Sequence, residues 1–356
     1  MAPSRRKEFE KTLSAAEKQR FDEVYRRELA GHQRIIEDNI LRDREHLRLV
    51  NFCTNPFLYR GVLGVETGYL FVRAEPLFEL RTKHFDVAIY NKQSKVMLLI
   101  ECKSSVVEVS REVDHVNDAV TETLANMKSL QDIVGDSFST TEIVFCTNAA
   151  YGARVQEYIT DKNLRICLWI ADQGTNKLLL QPQGGNSVNE VTSGRLHGDG
   201  KLTRLLISGV DSTGVRHLPF LPSSHPCTLL VELLPFLDLK LRTGNLDRFR
   251  LSDVHTILKT SLLNISDEKL LELSELIVKR GLEAEIFHDS KPWENTMKDK
   301  EFEIMVKRGS VRAMVDDIRE KYIESNSHDK AEQISIEKFK SGGMRETRPL
   351  EDFGVK

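Results

Sequence analysis

An apolar run that ends abruptly in charged residues constrains the fold of this chain more than any other stretch. The run 96–100 (Val-Met-Leu-Leu-Ile) has the composition of a strand in a protein interior, yet Glu101 and Lys103 follow it almost at once. A charge buried in such a place is costly unless it is paired or binds a metal ion. The stretch therefore predicts either a strand that emerges into solvent or two charges with a functional role.

A second strand-like segment, residues 84–90, precedes this run, and a short polar link separates the two. We predict a β-hairpin. If Gln93 and Ser94 form a two-residue turn, Asp86 lies directly opposite Glu101. Opposed residues of antiparallel strands project to the same face, with Cβ atoms roughly 5 Å apart. The two carboxylates are therefore expected to converge.

Strand alternation extends this prediction to the neighbouring residues. It places Lys103 on the same face as Glu101 and turns Cys102 towards the opposite face. Two opposed carboxylates destabilise a hairpin unless a positive charge lies between them, and hard divalent cations take oxygen ligands. A lysine nearby can orient a water molecule while the cation stabilises charge on a phosphoryl oxygen. Metal-assisted hydrolysis of a phosphodiester uses all three side chains.

The spacing of these residues resembles the signature of the PD-(D/E)xK nuclease superfamily, which includes many restriction endonucleases and DNA-repair nucleases. Asp86 is followed after fourteen residues by Glu101-Cys102-Lys103. The residue before Asp86 is Phe85 rather than the proline of the signature, which is often absent in the family. The resemblance covers roughly residues 70–150. It implies that Asp86, Glu101 and the Cys102 backbone carbonyl hold Mg²⁺, with Mn²⁺ able to substitute, and that Lys103 positions the water.

A glutamate on a helix before the hairpin often completes such sites in the superfamily. Glu28, Glu37 and Glu66 are candidates, and the sequence does not distinguish among them.

The pattern along the chain predicts an α/β fold, a mixed-sheet core resembling that of the PD-(D/E)xK nucleases, with a second, mainly helical domain. A helix is expected from about Ser14 to Leu47, with a break at Gly31 as an alternative. The expected divisions are a helical segment packing on the core (1–68), the core (69–180), a linker (181–225), a helical and in one reading winged-helix domain (226–325), and a disordered tail (326–356).

The composition restricts the class of protein. The chain is 40% hydrophobic and 29% charged, as in ordinary soluble proteins, and its net charge of −3 argues weakly against nucleic-acid binding. It has no apolar run of the roughly 18 residues that a transmembrane helix needs, and its start is charged, unlike a secretory signal. Five scattered cysteines without a CxxC pair support neither a zinc ribbon nor a disulfide framework. We expect a cytoplasmic protein.

These features together predict a Mg²⁺-dependent endonuclease that cuts double-stranded DNA. A separate chain of this size, without helicase or ATP-binding motifs, resembles a type II restriction endonuclease, which implies sequence specificity and a homodimer. A DNA repair or recombination nuclease is one alternative, and a non-catalytic DNA-binding protein on a nuclease-like core is another. In the simplest alternative, Glu101 and Lys103 are surface charges of an ordinary hairpin.

Overall fold

The computed structural model of this chain describes most of its residues. The described ranges are 5–80, 85–182, 191, 193–212, 216–262, 265–292, 294, 296–297, 300–307 and 309–341. None of the helices in these ranges combines the length and apolar composition that crossing a bilayer requires.

A seven-stranded mixed sheet forms the centre of the fold. Its strands lie side by side in sequence order, and the β3–β4 and β4–β5 pairs are parallel whereas the other neighbours are antiparallel. The prediction of a mixed α/β fold is therefore confirmed. The strands are β1 (Tyr69–Ala74), β2 (Val87–Asn91), β3 (Val96–Lys103), β4 (Thr140–Asn148), β5 (Cys167–Asp172), β6 (Lys177–Leu180) and β7 (Val210–Asp211).

Helices cover both faces of this sheet and form most of the C-terminal part. They are α1 (Arg5–Glu10), α2 (Ala15–Thr54), α3 (Val62–Thr67), α4 (Val109–Ala125), α5 (Met127–Val134), α6 (Ala149–Asp161), α7 (Gly200–Ser208), α8 (Pro226–Thr243), α9 (Leu251–Ser261), α10 (Asp267–Glu283) and α11 (Val311–Lys340). Ser14 and Glu17 form a capping box at the start of α2, which then runs without a break through Gly31.

Two apolar layers sandwich the sheet. The C-terminal turns of α2, together with α3 and α7, pack on one face through residues such as Val50, Leu63 and Leu202. Helices α4, α5 and α6 pack on the other face through residues such as Val116 and Val155. Successive residues of β3 alternate between the two layers, as strand geometry requires.

A third apolar core lies in the C-terminal helical unit, which we define as residues 226–341. Helices α8, α9 and α10 are followed by a short antiparallel pair, β8 (Phe287–Asp289) and β9 (Phe302–Ile304), and then by α11. Phe249, just before α9, forms a bridge to Phe302 of β9. Ile40 of α2 belongs to this core as well, so α2 contacts both parts of the molecule.

Several sequence-based predictions differ from the structure. Residues 77–80 form a short, aromatic-rich segment that is strand-like in sequence, but residues 78–80 form a 3₁₀ turn. The expected linker contains α7 and also β7, which extends the sheet. The expected tail from residue 326 is helical as far as Lys340, and residues 342–356 lie outside the described residues. This part of α11 is polar in sequence because small residues form its buried side, where Ser327, Ala331 and Ser335 are fully buried.

Candidate active site

The β2–β3 hairpin has the predicted register. Val87 pairs with Ile100, and the pairing continues to Asn91 opposite Val96, so the next position places Asp86 opposite Glu101. The turn differs from the prediction because four residues, 92–95, connect the strands. The Asn91 side-chain oxygen accepts hydrogen bonds from the backbone N–H groups of residues 93 and 94, and Lys95 has a positive φ of 58°. The longer turn preserves the register.

Asp86 is held from two sides at the start of β2. Its Oδ2 accepts a 2.6 Å hydrogen bond from the Cys102 backbone N–H, and its Oδ1 lies 3.2 Å from Nε2 of His46. Burial alone would raise the pKa of this carboxyl, but the charges of His46 and Lys103 and the two hydrogen bonds outweigh it and lower the pKa. Asp86 is therefore an ionised carboxylate near neutral pH.

Glu101 is the most deeply buried charge of the site. The residue is 8% exposed, and its Oε1 lies 2.6 Å from the Lys103 ammonium. No described residue donates a hydrogen bond to its buried Oε2. Burial, followed by repulsion from Asp86, raises the pKa of Glu101 to about 7, although Lys103 opposes this change. The site thus holds a carboxylate whose charge is incompletely neutralised.

Lys103 ends β3 and keeps its charge at neutral pH. Burial would lower the pKa of its ammonium, but the charges of Glu101, Asp86 and Glu112 raise it. Thr147 donates a hydrogen bond of 2.8 Å to the Lys103 carbonyl and so fixes the backbone at this position. The lysine is held beside Glu101 on the face that strand alternation predicts.

His46 is a site residue that the sequence did not indicate. It lies on α2, whose C-terminal turns are buried against the sheet. Burial would lower the pKa of the imidazole, but the charge of Asp86 and the hydrogen bond to it raise that pKa to about 9. No local motif marks His46, because its position depends on how a long helix packs against a hairpin.

The three glutamates proposed for the helical position do not reach the site within the described structure. Glu28 pairs with Lys338 at 2.8 Å, and Glu66 pairs with Lys201 at 2.8 Å. Glu37 is exposed on α2. In the described structure, the helix residue that lies beside Asp86 is His46.

A group of cysteines lies behind the site, on the other face of the sheet. The sulfur atoms of Cys53, Cys102 and Cys146 lie within 4.8 Å of one another, and all three residues are fully buried. Cys102 faces this side, as predicted, so its thiol points away from Glu101. The group has the geometry to hold a soft metal ion, and it was not found from sequence because its members lie far apart in the chain.

The side chains around Asp86 also fit a hard divalent cation. Two carboxylates converge there, and one buried carboxylate oxygen, Oε2 of Glu101, lacks a donor among the described residues. A cation held by Asp86 and Glu101 would neutralise their mutual repulsion and satisfy that oxygen. The Cys102 carbonyl remains a predicted further ligand.

Comparisons of this chain with protein-family models, with curated proteins and with solved structures find no match. The interpretation of the site therefore depends on its own geometry.

Proposed function

We propose that this chain hydrolyses phosphodiester bonds of double-stranded DNA in a reaction that depends on a divalent cation. The single observation that carries the proposal is the gathering of Asp86, Glu101 and Lys103 at one end of the hairpin, with Oε2 of Glu101 buried and without a donor among the described residues. An ordinary surface hairpin would leave these charges solvated. Buried carboxylates that repel each other and lie beside a lysine suit a cation-dependent hydrolase.

The order of elements around the hairpin supports the same proposal. The β2–β3 hairpin is followed by helices α4 and α5 and by β4, which lies parallel to β3. This is the order expected from the resemblance to PD-(D/E)xK nucleases. The opposed carboxylates favour a nuclease core over a DNA-binding protein that has lost its catalytic residues, because a protein kept for binding has no physical need for them.

Each side chain has a distinct role in the proposed reaction. Asp86 and Glu101, with the Cys102 backbone carbonyl, would hold Mg²⁺ or Mn²⁺. The bound cation supplies electrostatic stabilisation of the charge that develops on the phosphoryl oxygens. Lys103, fixed by its contact with Glu101, orients the attacking water and adds a positive charge near the scissile phosphate. The Asp86 carboxylate is kept ionised by His46 and the Cys102 N–H.

The C-terminal helical unit gives mixed support for sequence-specific recognition. Its order of three helices, a β-pair and a bridge from Phe249 to Phe302 matches a winged-helix arrangement, which favours DNA binding. However, the exposed side of α10 carries mostly acidic residues, which oppose contact with phosphates: Asp267, Glu268, Glu272, Glu275 and Glu283, against Lys279. A repair or recombination nuclease therefore remains the second candidate beside a type II restriction endonuclease, and the homodimer is part of the restriction proposal alone.

The test is incubation of supercoiled plasmid and phage genomic DNA with the purified protein in Mg²⁺, in Mn²⁺ and in EDTA. The Lys103→Ala variant is compared with Lys92→Ala, which changes an exposed lysine of the same hairpin. Discrete fragments that require the cation and Lys103 support a sequence-specific endonuclease, whereas nicking or a smear supports a processing nuclease. Intact DNA in both cations, or equal cleavage by Lys103→Ala, contradicts the proposal.

A further inference from the structure

Three cysteines from separate parts of the chain meet in the apolar layer beneath α2. Cys102 and Cys146 are register partners on the parallel strands β3 and β4, so their side chains leave the same face of the sheet at neighbouring positions. Cys53 comes from the last turn of α2, which packs on that face. All three side chains are fully buried, and their sulfur atoms lie within 4.8 Å of one another. This cysteine group lies on the opposite face of β3 from Glu101 and Lys103, so it is separate from the proposed cation site.

The spacing of the three sulfur atoms is close to what a shared central atom requires. Sulfur atoms that each bond one atom at about 2.3 Å lie roughly 4 Å apart. The cysteine group therefore needs to contract by on the order of 1 Å at most, which small rotations of the side chains can supply. The interior is closely packed, but an atom that replaces three thiol hydrogens adds little volume.

The surroundings of the cysteine group restrict what it can bind. It belongs to a layer of apolar side chains such as Val50, Ile100 and Val144. Among the described residues, no histidine, carboxylate or further cysteine joins it as a fourth ligand. Structural Zn²⁺ almost always takes four ligands, and Zn²⁺ held by three thiolates alone would leave a net negative charge in this layer. Iron–sulfur clusters usually take four cysteines. The group therefore suits an atom that needs only three thiolates and that they neutralise.

We propose that Cys53, Cys102 and Cys146 form a binding site for trivalent arsenic or the chemically similar trivalent antimony. Arsenous acid, As(OH)₃, exchanges its three hydroxyl groups for the three thiols. Each arsenic–oxygen bond is replaced by an arsenic–sulfur bond, each thiol proton leaves with a hydroxyl group as water, and nothing is oxidised or reduced. The product has three sulfur ligands and no net charge, so it needs neither a fourth donor nor a counter-ion in an apolar layer.

The experiment uses the full chain in a phosphine reductant, with sodium arsenite as the probe. Because the cysteines are buried, one sample is incubated in the folded state and another is refolded from urea in arsenite. Native mass spectrometry should show an adduct heavier than the chain by one arsenic less three hydrogens. Cys146→Ala should lose this three-bond adduct. The control Cys227→Ala changes a buried cysteine of α8 outside the group and should keep it.

X-ray absorption by the arsenic-loaded natural protein gives a second reading that needs no variant to fold. Three sulfur neighbours and no oxygen around arsenic support the inference. Failure to take up arsenic even after refolding, an oxygen ligand on the bound arsenic, or the same adduct in Cys146→Ala overturns it. The three thiols would then be ordinary small apolar side chains of the layer.

Discussion

Nε2 of His46 lies 3.2 Å from Oδ1 of Asp86, so helix α2 places an imidazole beside the β2–β3 hairpin. Helix α2 and the hairpin are separated in sequence by α3 and β1, and only tertiary packing brings the two side chains together. This pair, with Glu101 and Lys103, forms a chain of alternating charges at one end of β2 and β3. The stability and cation binding of the protein should therefore depend on each member.

The buried carboxyl of Glu101 should make the metal-free protein less stable as pH rises. Its pKa is about 7 in the folded protein, against an ordinary value of 4.5, so folding favours the protonated form. The free energy of unfolding should fall by about 3 kcal/mol as pH rises from 4.5 through 7. Urea unfolding in EDTA at several pH values measures this effect. The Glu101→Gln variant should lose that part of the pH dependence, and an unchanged slope in the variant would contradict the assignment.

His46 should contribute stability over a higher pH range. Its pKa is about 9 in the folded protein, against an ordinary 6.5, so its contribution is complete below pH 6.5 and is lost as pH rises through 9. In EDTA, the difference in unfolding free energy between the natural protein and His46→Gln should therefore shrink by about 3 kcal/mol between pH 6 and pH 10. The exposed His288→Gln should show no such change. A constant difference across this range would mean that His46 and Asp86 do not form a charged pair.

A bound cation should stabilise the folded protein through Asp86. At a Mn²⁺ concentration about one hundred times the dissociation constant, the gain is about 2.7 kcal/mol if only the folded state binds. Thermal unfolding should show a higher Tm in Mn²⁺ than in EDTA for the natural protein and for Asp132→Asn, which changes an exposed carboxylate on α5. Asp86→Asn should abolish the increase. Equal increases in Tm for both variants would show that the cation binds elsewhere.

A side-chain carbon added at Gly281 should clash where α10 packs against β8. A Cβ there would lie 2.1 Å from Cδ2 of the buried Phe287 ring. Gly281→Ala should destabilise the protein by about 1–3 kcal/mol through overpacking, despite the better helix propensity of alanine. Gly309→Ala is the matched control, since nothing lies within 4 Å of its Cβ position. Chemical unfolding compares the two variants, and equal stabilities would show that the C-terminal helical unit can absorb the methyl group.

The hairpin and its charges could be predicted from sequence because the signals are local. An apolar run, a polar link and period-two alternation determine which side chains share a face, and the register depends on few residues. The two-residue turn expected from sequence is wrong, because the Asn91 side chain stabilises a four-residue connection instead. The strand register is nevertheless the predicted one.

Other features depend on contacts between distant segments, which one sequence does not reveal. His46 and the group of Cys53, Cys102 and Cys146 meet only after α2 packs on the sheet. The second half of α11 is mostly polar, so its sequence resembles a disordered tail. It is nevertheless helical, because small side chains allow close packing and Lys338 pairs with Glu28 of α2.

Helix α2 makes the molecule difficult to divide. Its first turns pack against α11 through Phe21 and Phe339, Ile40 belongs to the C-terminal core, and its last turns carry His46 and cover the sheet. A fragment that ended before α8 would keep the candidate site but expose the apolar side of the helix that positions it. The sheet and the C-terminal helical unit should thus unfold in one cooperative transition, and protease cleavage between them should release no independently folded fragment that carries the candidate site.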